Sequence, residues 1–199
     1  MENLLFINAC MRGREKSRTY ELAEFFLQEL ASDFIVDTVD LNKTQLAYLN
    51  AKRCLLREQL LAEGDLQSEE FSLARQFAKA DRVVIAAPFW DLNIPAALKV
   101  YLENIAATDI AFRYTDKGEV QGLCAASKLM FIATCGGIYR GTNIEHLEMA
   151  TPYIRALCFL FGIKEFDSIV VEGLDIYGAD VQGLLEQAKQ ALTVKAEVF

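Results

Sequence analysis

Residues 81–105 read DRVVIAAPFWDLNIPAALKVYLENI. A buried strand at 83–87 runs into Pro88, an aromatic pair and a short polar loop. A helix follows at 95–106, with Leu98, Tyr101, Leu102 and Ile105 on one face. Asn93 stands where it can cap that helix, and Pro95 falls in the first turn, where a missing N–H costs little. Phe89 and Trp90, the one Trp of the chain, offer apolar contact to a planar ring. Strand-to-helix loops of this form build ligand sites at the carboxyl ends of parallel strands. The competing reading is a Trp packed against the domain or a second subunit.

Outward from this stretch the chain alternates strand and helix. Apolar strands fall at 4–8, 34–39, 83–87, 128–133 and 169–171, and helical periodicity at 17–30, 68–80, 95–106, 146–161 and 181–194. The strands are continuous apolar runs, the mark of a parallel sheet buried on both faces. Right-handed crossovers then leave few topologies. The expectation is one α/β domain over residues 1–199, a five-stranded parallel sheet with helices on both faces. Residues 41–67 form a long insertion whose Leu46, Leu49, Leu55, Leu56 and Leu60 suggest extra helix, over a site or partner or as a solvated surface pair. Residues 112–123, FRYTDKGEVQGL, read as a β-hairpin turning near Asp116-Lys117-Gly118.

The 199 residues are 53% hydrophobic, enough for a large core and too apolar for global disorder. Lys and Arg number 20 against 28 Asp and Glu, a net charge of −8, so nucleic acid is not an expected partner. The five cysteines, Cys10, Cys54, Cys124, Cys135 and Cys158, are odd in number and form no C-x-x-C, which fits a reduced, cytoplasmic compartment. The longest apolar run, 156–163, is far short of a membrane span, and the opening MENLLFINAC lacks the basic region of a signal peptide. One His and scattered Cys lack zinc-ligand spacing, so no metal is expected.

Three stretches carry chemistry. After the first strand, CMRGREKSRTYEL contains neither G-x-G-x-x-G nor a Walker pattern. It does set Arg12, Arg14, Lys16 and Arg18 against Glu15 alone and opens a helix at Ser17-Arg18-Thr19. Free N–H donors and a partial positive charge suit that helix start to a phosphate, with the Ser17 and Thr19 hydroxyls as further donors. The same residues also make an ordinary N-cap beside a solvated basic loop. The second stretch is the opening one, where backbone groups of the loop can reach a ring edge. The third, IATCGGIYRGT, pairs Gly136 with Gly137, which allows close backbone approach or positive φ, and follows them with Tyr139 and Arg140 as polar contacts. An ordinary glycine turn would look the same. All three follow strands one, three and four; in a doubly wound, five-stranded parallel sheet ordered 2-1-3-4-5, those ends converge at the switch point where a flavodoxin-like domain holds FMN.

On these residues the chain resembles the flavodoxin-like FMN-dependent NAD(P)H azoreductases and quinone reductases. The resemblance spans nearly the whole length. The family's P-x-Y-N-F/W-x-x-[PS] loop stands as Pro88-Phe89-Trp90-Asp91-Leu92-Asn93-Ile94-Pro95, and its F-R-Y-T-x-x-G hairpin runs from Phe112 to Gly118. The S/T-x-G-G loop is Thr134-Cys135-Gly136-Gly137, the T-P-Y-L-like segment is Thr151-Pro152-Tyr153-Ile154, and the S-x-S phosphate turn is Ser17-Arg18-Thr19.

The resemblance implies that an FMN phosphate meets Ser17, Arg18 and Thr19 with Cys10 nearby. The ring would lie on Phe89, Trp90, Asp91 and Leu92, its pyrimidine side facing Thr134, Cys135, Gly136 and Gly137. It implies hydride transfer from NAD(P)H through the flavin to a quinone or azo acceptor in ping-pong order, with no covalent side-chain nucleophile and Tyr139 as a substrate contact. It also implies a homodimer, with which the apolar helix containing Tyr153, Leu157 and Phe161 is compatible. Three positions depart from the family pattern. Cys10 replaces a Ser and removes a phosphate donor, Asp91 replaces an Asn and accepts without donating, and Cys135 is atypical. The alternative function is a flavodoxin-like electron carrier or a non-catalytic flavin- or partner-binding module.

Overall fold

The computed structural model describes residues 1–30 and 33–199. Its frame is a five-stranded sheet of β1 (Glu2–Asn8), β2 (Phe34–Asp40), β3 (Arg82–Ala86), β6 (Lys128–Thr134) and β7 (Glu165–Val171), in the order β2-β1-β3-β6-β7. Every neighbouring pair is parallel, with Phe6 beside Thr38 and Val84, and Val84 beside Met130. Between β3 and β6 lie β4 (Phe112–Tyr114) and β5 (Val120–Gly122), an antiparallel hairpin outside the main sheet. With the hairpin set aside, the order is the expected 2-1-3-4-5.

Alternation along the strands sorts the core into two layers. Leu5 and Ile7 of β1 point into a cluster with Phe77 of α3 (Ser72–Lys79), Leu98 and Tyr101 of α4 (Ala96–Ile105), and Ile154 and Phe161 of α5 (Ala150–Phe161). Leu4 and Phe6 point the other way, onto Leu22 and Phe26 of α1 (Arg18–Glu29) and Leu185 and Leu192 of α6 (Val181–Ala196). Two-sided burial is why β3 and β6 read as unbroken apolar runs.

Several boundaries differ from the sequence reading. The helix expected at 146–161 begins at Ala150, because Glu145–Leu147 winds as a 3₁₀ turn and the Glu148 carboxylate accepts from the Ala150 and Thr151 amides, 3.0 Å each. Asn93 does not cap α4. Its Oδ1 accepts from the next amide, Ile94 N, at 2.9 Å, and Pro95 takes the cap position without a side-chain bond. The last strand extends back to Glu165, its apolar signal diluted by an edge position. Phe161 lies in the core at 1% exposure, while Phe159 is the large apolar side chain of that helix turned outward.

The insertion folds as α2 (Ala51–Glu63), opened by Asn50, whose side chain accepts from Arg53 N, and closed by Gly64 at φ 72°. It docks through a polar knot. The Arg53 guanidinium bonds the Glu70 carboxylate and Asn104 Oδ1, and Arg57 donates to Asn104 O at 3.2 Å while lying over the Phe71 ring. Asn104 sits at the far end of α4 from its first turn, and no residue of α2 lines either of the two clefts at the carboxyl edge of the sheet.

Candidate functional site

The loops after β1, β3, β6 and β7 meet at the carboxyl edge of the sheet. They enclose a cleft of about 140 Å³ bordered by Ser17, Arg18, Phe89, Thr134, Gly136 and Asp175, among others. Met11 and Trp90 separate it from a second cavity of about 700 Å³ walled by Asp91, Ile94, Pro95, Ala97, Lys99 and Tyr153. The small cleft is rich in cationic and hydroxyl groups. The large cavity is mainly apolar.

At the polar end, Ser17 is the N-cap of α1, its Oγ accepting from Tyr20 N at 3.2 Å. Arg18 follows, and its Nη1 donates both to Leu174 O at 3.0 Å and to Asp175 Oδ1 at 2.9 Å. Thr19 is buried at 1% exposure, with its hydroxyl 2.6 Å from that of Thr134. Cys10 lies behind this loop, 1% exposed, its Sγ toward Ala86 O. Burial pushes its thiol up to about 12, so it stays protonated and acts as a small apolar filler.

The aromatic loop is a tight reversal. Trp90 and Asn93 exchange both backbone hydrogen bonds at 2.8 Å, leaving Asp91 at φ 47° and Leu92 at φ 65° as the two turn residues. Two successive positive φ angles describe a type I′ turn, which favours Asn and Gly. A carboxylate and a branched side chain occupy it here at a cost of order 1 kcal/mol each. The turn is held from outside by Phe89 N donating to Thr134 O at 3.0 Å and Met149 N to Leu92 O at 3.1 Å. Trp90 remains 39% exposed between the two clefts.

On the β6 side, Cys135 N donates to Val171 O, while Asp175 N and Gly173 N donate to the carbonyls of Gly136 and Gly137. Gly136 leaves room for a neighbour: a Cβ there would lie 2.5 Å from Asp175 Oδ2. Neither Gly136 nor Gly137 has positive φ. Cys135 is buried, and burial raises its thiol against an opposing hydrogen bond from the Gly137 backbone. Tyr139 leans edge-on against Phe89 at 5.1 Å between centroids, its amide donating to Glu172.

Two features have no counterpart in the sequence reading. Leu174 and Asp175, from the loop after β7, form a wall of the small cleft. Their signal is positional: this loop also leaves the carboxyl end of a parallel strand. Lys99 and Tyr153 meet across the large cavity, Nζ donating to the phenol oxygen at 2.8 Å, a bond that raises the lysine above its usual range. Only the fold brings α4 and α5 together there.

Residues 2–196 match a family model described as Flavodoxin-like fold. The chain is 36% identical to an FMN-dependent NADH:quinone oxidoreductase 2 of Clostridium acetobutylicum over the full length of both chains. It is 37% identical to an FMN-dependent NADH:quinone oxidoreductase of Clostridium beijerinckii over 94% of each. Among solved structures, an azoreductase from Bacillus anthracis str. Sterne superposes over 100% of both chains with a TM-score of 0.89 at 25% identity. The chain therefore belongs to the flavodoxin-like family, among the relatives of these oxidoreductases.

Proposed function

We propose that this flavodoxin-like protein is a cytoplasmic FMN-dependent oxidoreductase that moves hydride from NAD(P)H to quinones or azo compounds, working as a homodimer. The observation that carries the reading is the junction of the two clefts across Trp90: a polar pocket at a helix N-terminus opens beside an apolar cavity of about 700 Å³.

The residues fit FMN. The N-terminus of α1 with Ser17 and Arg18 suits a phosphate, and Phe89 and Trp90 suit the ring. When bound, the flavin supplies the two-electron chemistry that no side chain here can perform. The chain's part is placement. The Trp90–Asn93 turn fixes the aromatic floor, the bond from Phe89 N to Thr134 O ties floor to wall, and Tyr139, edge-on against Phe89, is the proposed substrate contact. Met11, Ile94, Pro95 and Ala97 give the adjoining cavity an apolar lining, and there donor and acceptor take turns, a ping-pong order. An electron carrier has no need of such a cavity beside its ring. A second copy of the chain would cover Phe159, which is 77% exposed on the outer face of α5.

The test is direct. Purified protein should carry or take up FMN with a visible flavin spectrum. It should oxidise NADH or NADPH only with a quinone or azo acceptor present, giving parallel double-reciprocal plots. A protein that binds no flavin would remove this reading, and converging plots would remove the ping-pong order alone.

A further inference from the structure

We infer that Asp175 is a specificity determinant of the small cleft: a built-in carboxylate that holds Arg18 until the cofactor's phosphate takes it. The inference rests on the flavin reading above. Arg18 is the first residue of α1 and borders the cleft at the helix end that suits an anion. In this structure its Nη1 is engaged elsewhere, on Leu174 O at 3.0 Å and Asp175 Oδ1 at 2.9 Å. The second carboxylate oxygen lies against Gly136, where even a methyl group would collide with it. The Asp175 amide meanwhile donates to Gly136 O at 3.1 Å, so the carboxylate is held in the cleft by its own backbone. Arg18, Gly136 and Asp175 all border the same narrow space.

A dianionic phosphate entering there meets one misplaced charge of its own sign. Two opposite effects of Asp175 compete. It orients Arg18, which favours the phosphate, and it repels the phosphate and engages the Arg18 Nη1, which disfavours it. Leu174 O orients the same Nη1 without carrying charge, so orientation survives the loss of the carboxylate and repulsion does not. The side chains of Arg18 and Asp175 are 40% and 68% exposed, so water screens the repulsion and keeps it modest. Asp175 therefore reduces the advantage of a phosphorylated flavin over an unphosphorylated one, which brings no phosphate charge for the carboxylate to repel.

The experiment titrates flavin-free parent and Asp175→Asn protein with FMN and with riboflavin, following quenching of flavin fluorescence. Asn keeps the size and one acceptor and removes the charge. The expected result is FMN bound about fivefold more tightly by the variant, with riboflavin unchanged, and a difference that shrinks in 1 M salt, as about one unit-charge interaction near a wet surface predicts. Equal FMN affinity in parent and variant, or weaker FMN binding by the variant, would overturn the inference while leaving the flavin reading standing. A parent that binds neither flavin overturns both. Riboflavin binding in the variant doubles as the check that its ring site is folded.

Discussion

Thr19 of α1 and Thr134 at the end of β6 meet hydroxyl to hydroxyl at 2.6 Å. One hydroxyl donates and the other accepts, and Thr19 is buried at 1% exposure. The bond joins the helix that would receive a phosphate to the strand end that would border a ring. It also spends the Thr19 hydroxyl inside the protein. Replacing Thr134 by Val should strand the Thr19 hydroxyl and cost about 1–3 kcal/mol, whereas changing both to Val should recover most of the loss. Urea denaturation of the parent, both single variants and the double variant measures this. A double variant as unstable as the sum of its singles would show that the pair is not coupled.

The turn at Asp91 and Leu92 stores backbone strain at the centre of the site. Both residues sit at positive φ, 47° and 65°. Asn-Gly is the pair that a type I′ turn accommodates most readily. The double replacement Asp91→Asn with Leu92→Gly should therefore raise stability by about 1 kcal/mol, seen as a rise of a few degrees in the thermal midpoint. A fall in the midpoint would mean that the packing of Leu92 outweighs its strain.

The sheet, its order and the three loop positions were readable because each rests on short-range signals: apolar runs, turn residues, a Ser at a helix start. Contacts that cross the fold were not readable. Nothing near Ser17-Arg18-Thr19 indicates that Thr19 reaches Thr134 or that Arg18 reaches Asp175, partners 115 and 157 residues away. The insertion is a related case. Its leucines announce helix, but its placement depends on the Arg53–Glu70–Asn104 knot, and no periodicity encodes that. The Asn93 cap failed for a local reason: with Trp90 and Asn93 paired, the turn places Asn93 before the helix, and its side chain serves Ile94 instead.

Acid stability should depend on Asp167. Its carboxylate accepts from Lys195 at 2.7 Å and lies 3.2 Å from the buried ammonium of Lys128. The hydrogen bond from Lys195, followed by that from Lys128, holds it below the usual carboxylate range. A carboxyl whose folded pKa is depressed stabilises the fold fully above its unfolded value, about 3.9 for Asp, and loses that contribution as pH falls toward the folded value. Stability should thus drop below about pH 4 in the parent. Asp167→Asn should be less stable at neutral pH by about 2 kcal/mol and show a flatter acid limb. Denaturation midpoints at several pH values check both signs.

Ser17 has two proposed duties, and one substitution separates them. Its hydroxyl caps α1 by accepting from Tyr20 N at 3.2 Å, and under the FMN reading it also donates to the phosphate. Ala removes both and cannot tell them apart. Asp is as good an N-cap as Ser and its charge suits the positive end of the helix, so Ser17→Asp should hold stability within about 0.5 kcal/mol of the parent. The same carboxylate cannot donate and repels a dianion, so FMN affinity should fall by about tenfold or more, while riboflavin, which has no phosphate, binds as before. Thermal denaturation and the two flavin titrations read these quantities separately. Equal losses for FMN and riboflavin would place the damage in the ring site rather than at the helix end. An FMN affinity unchanged by Ser17→Asp would mean that the phosphate lies elsewhere than at the start of α1.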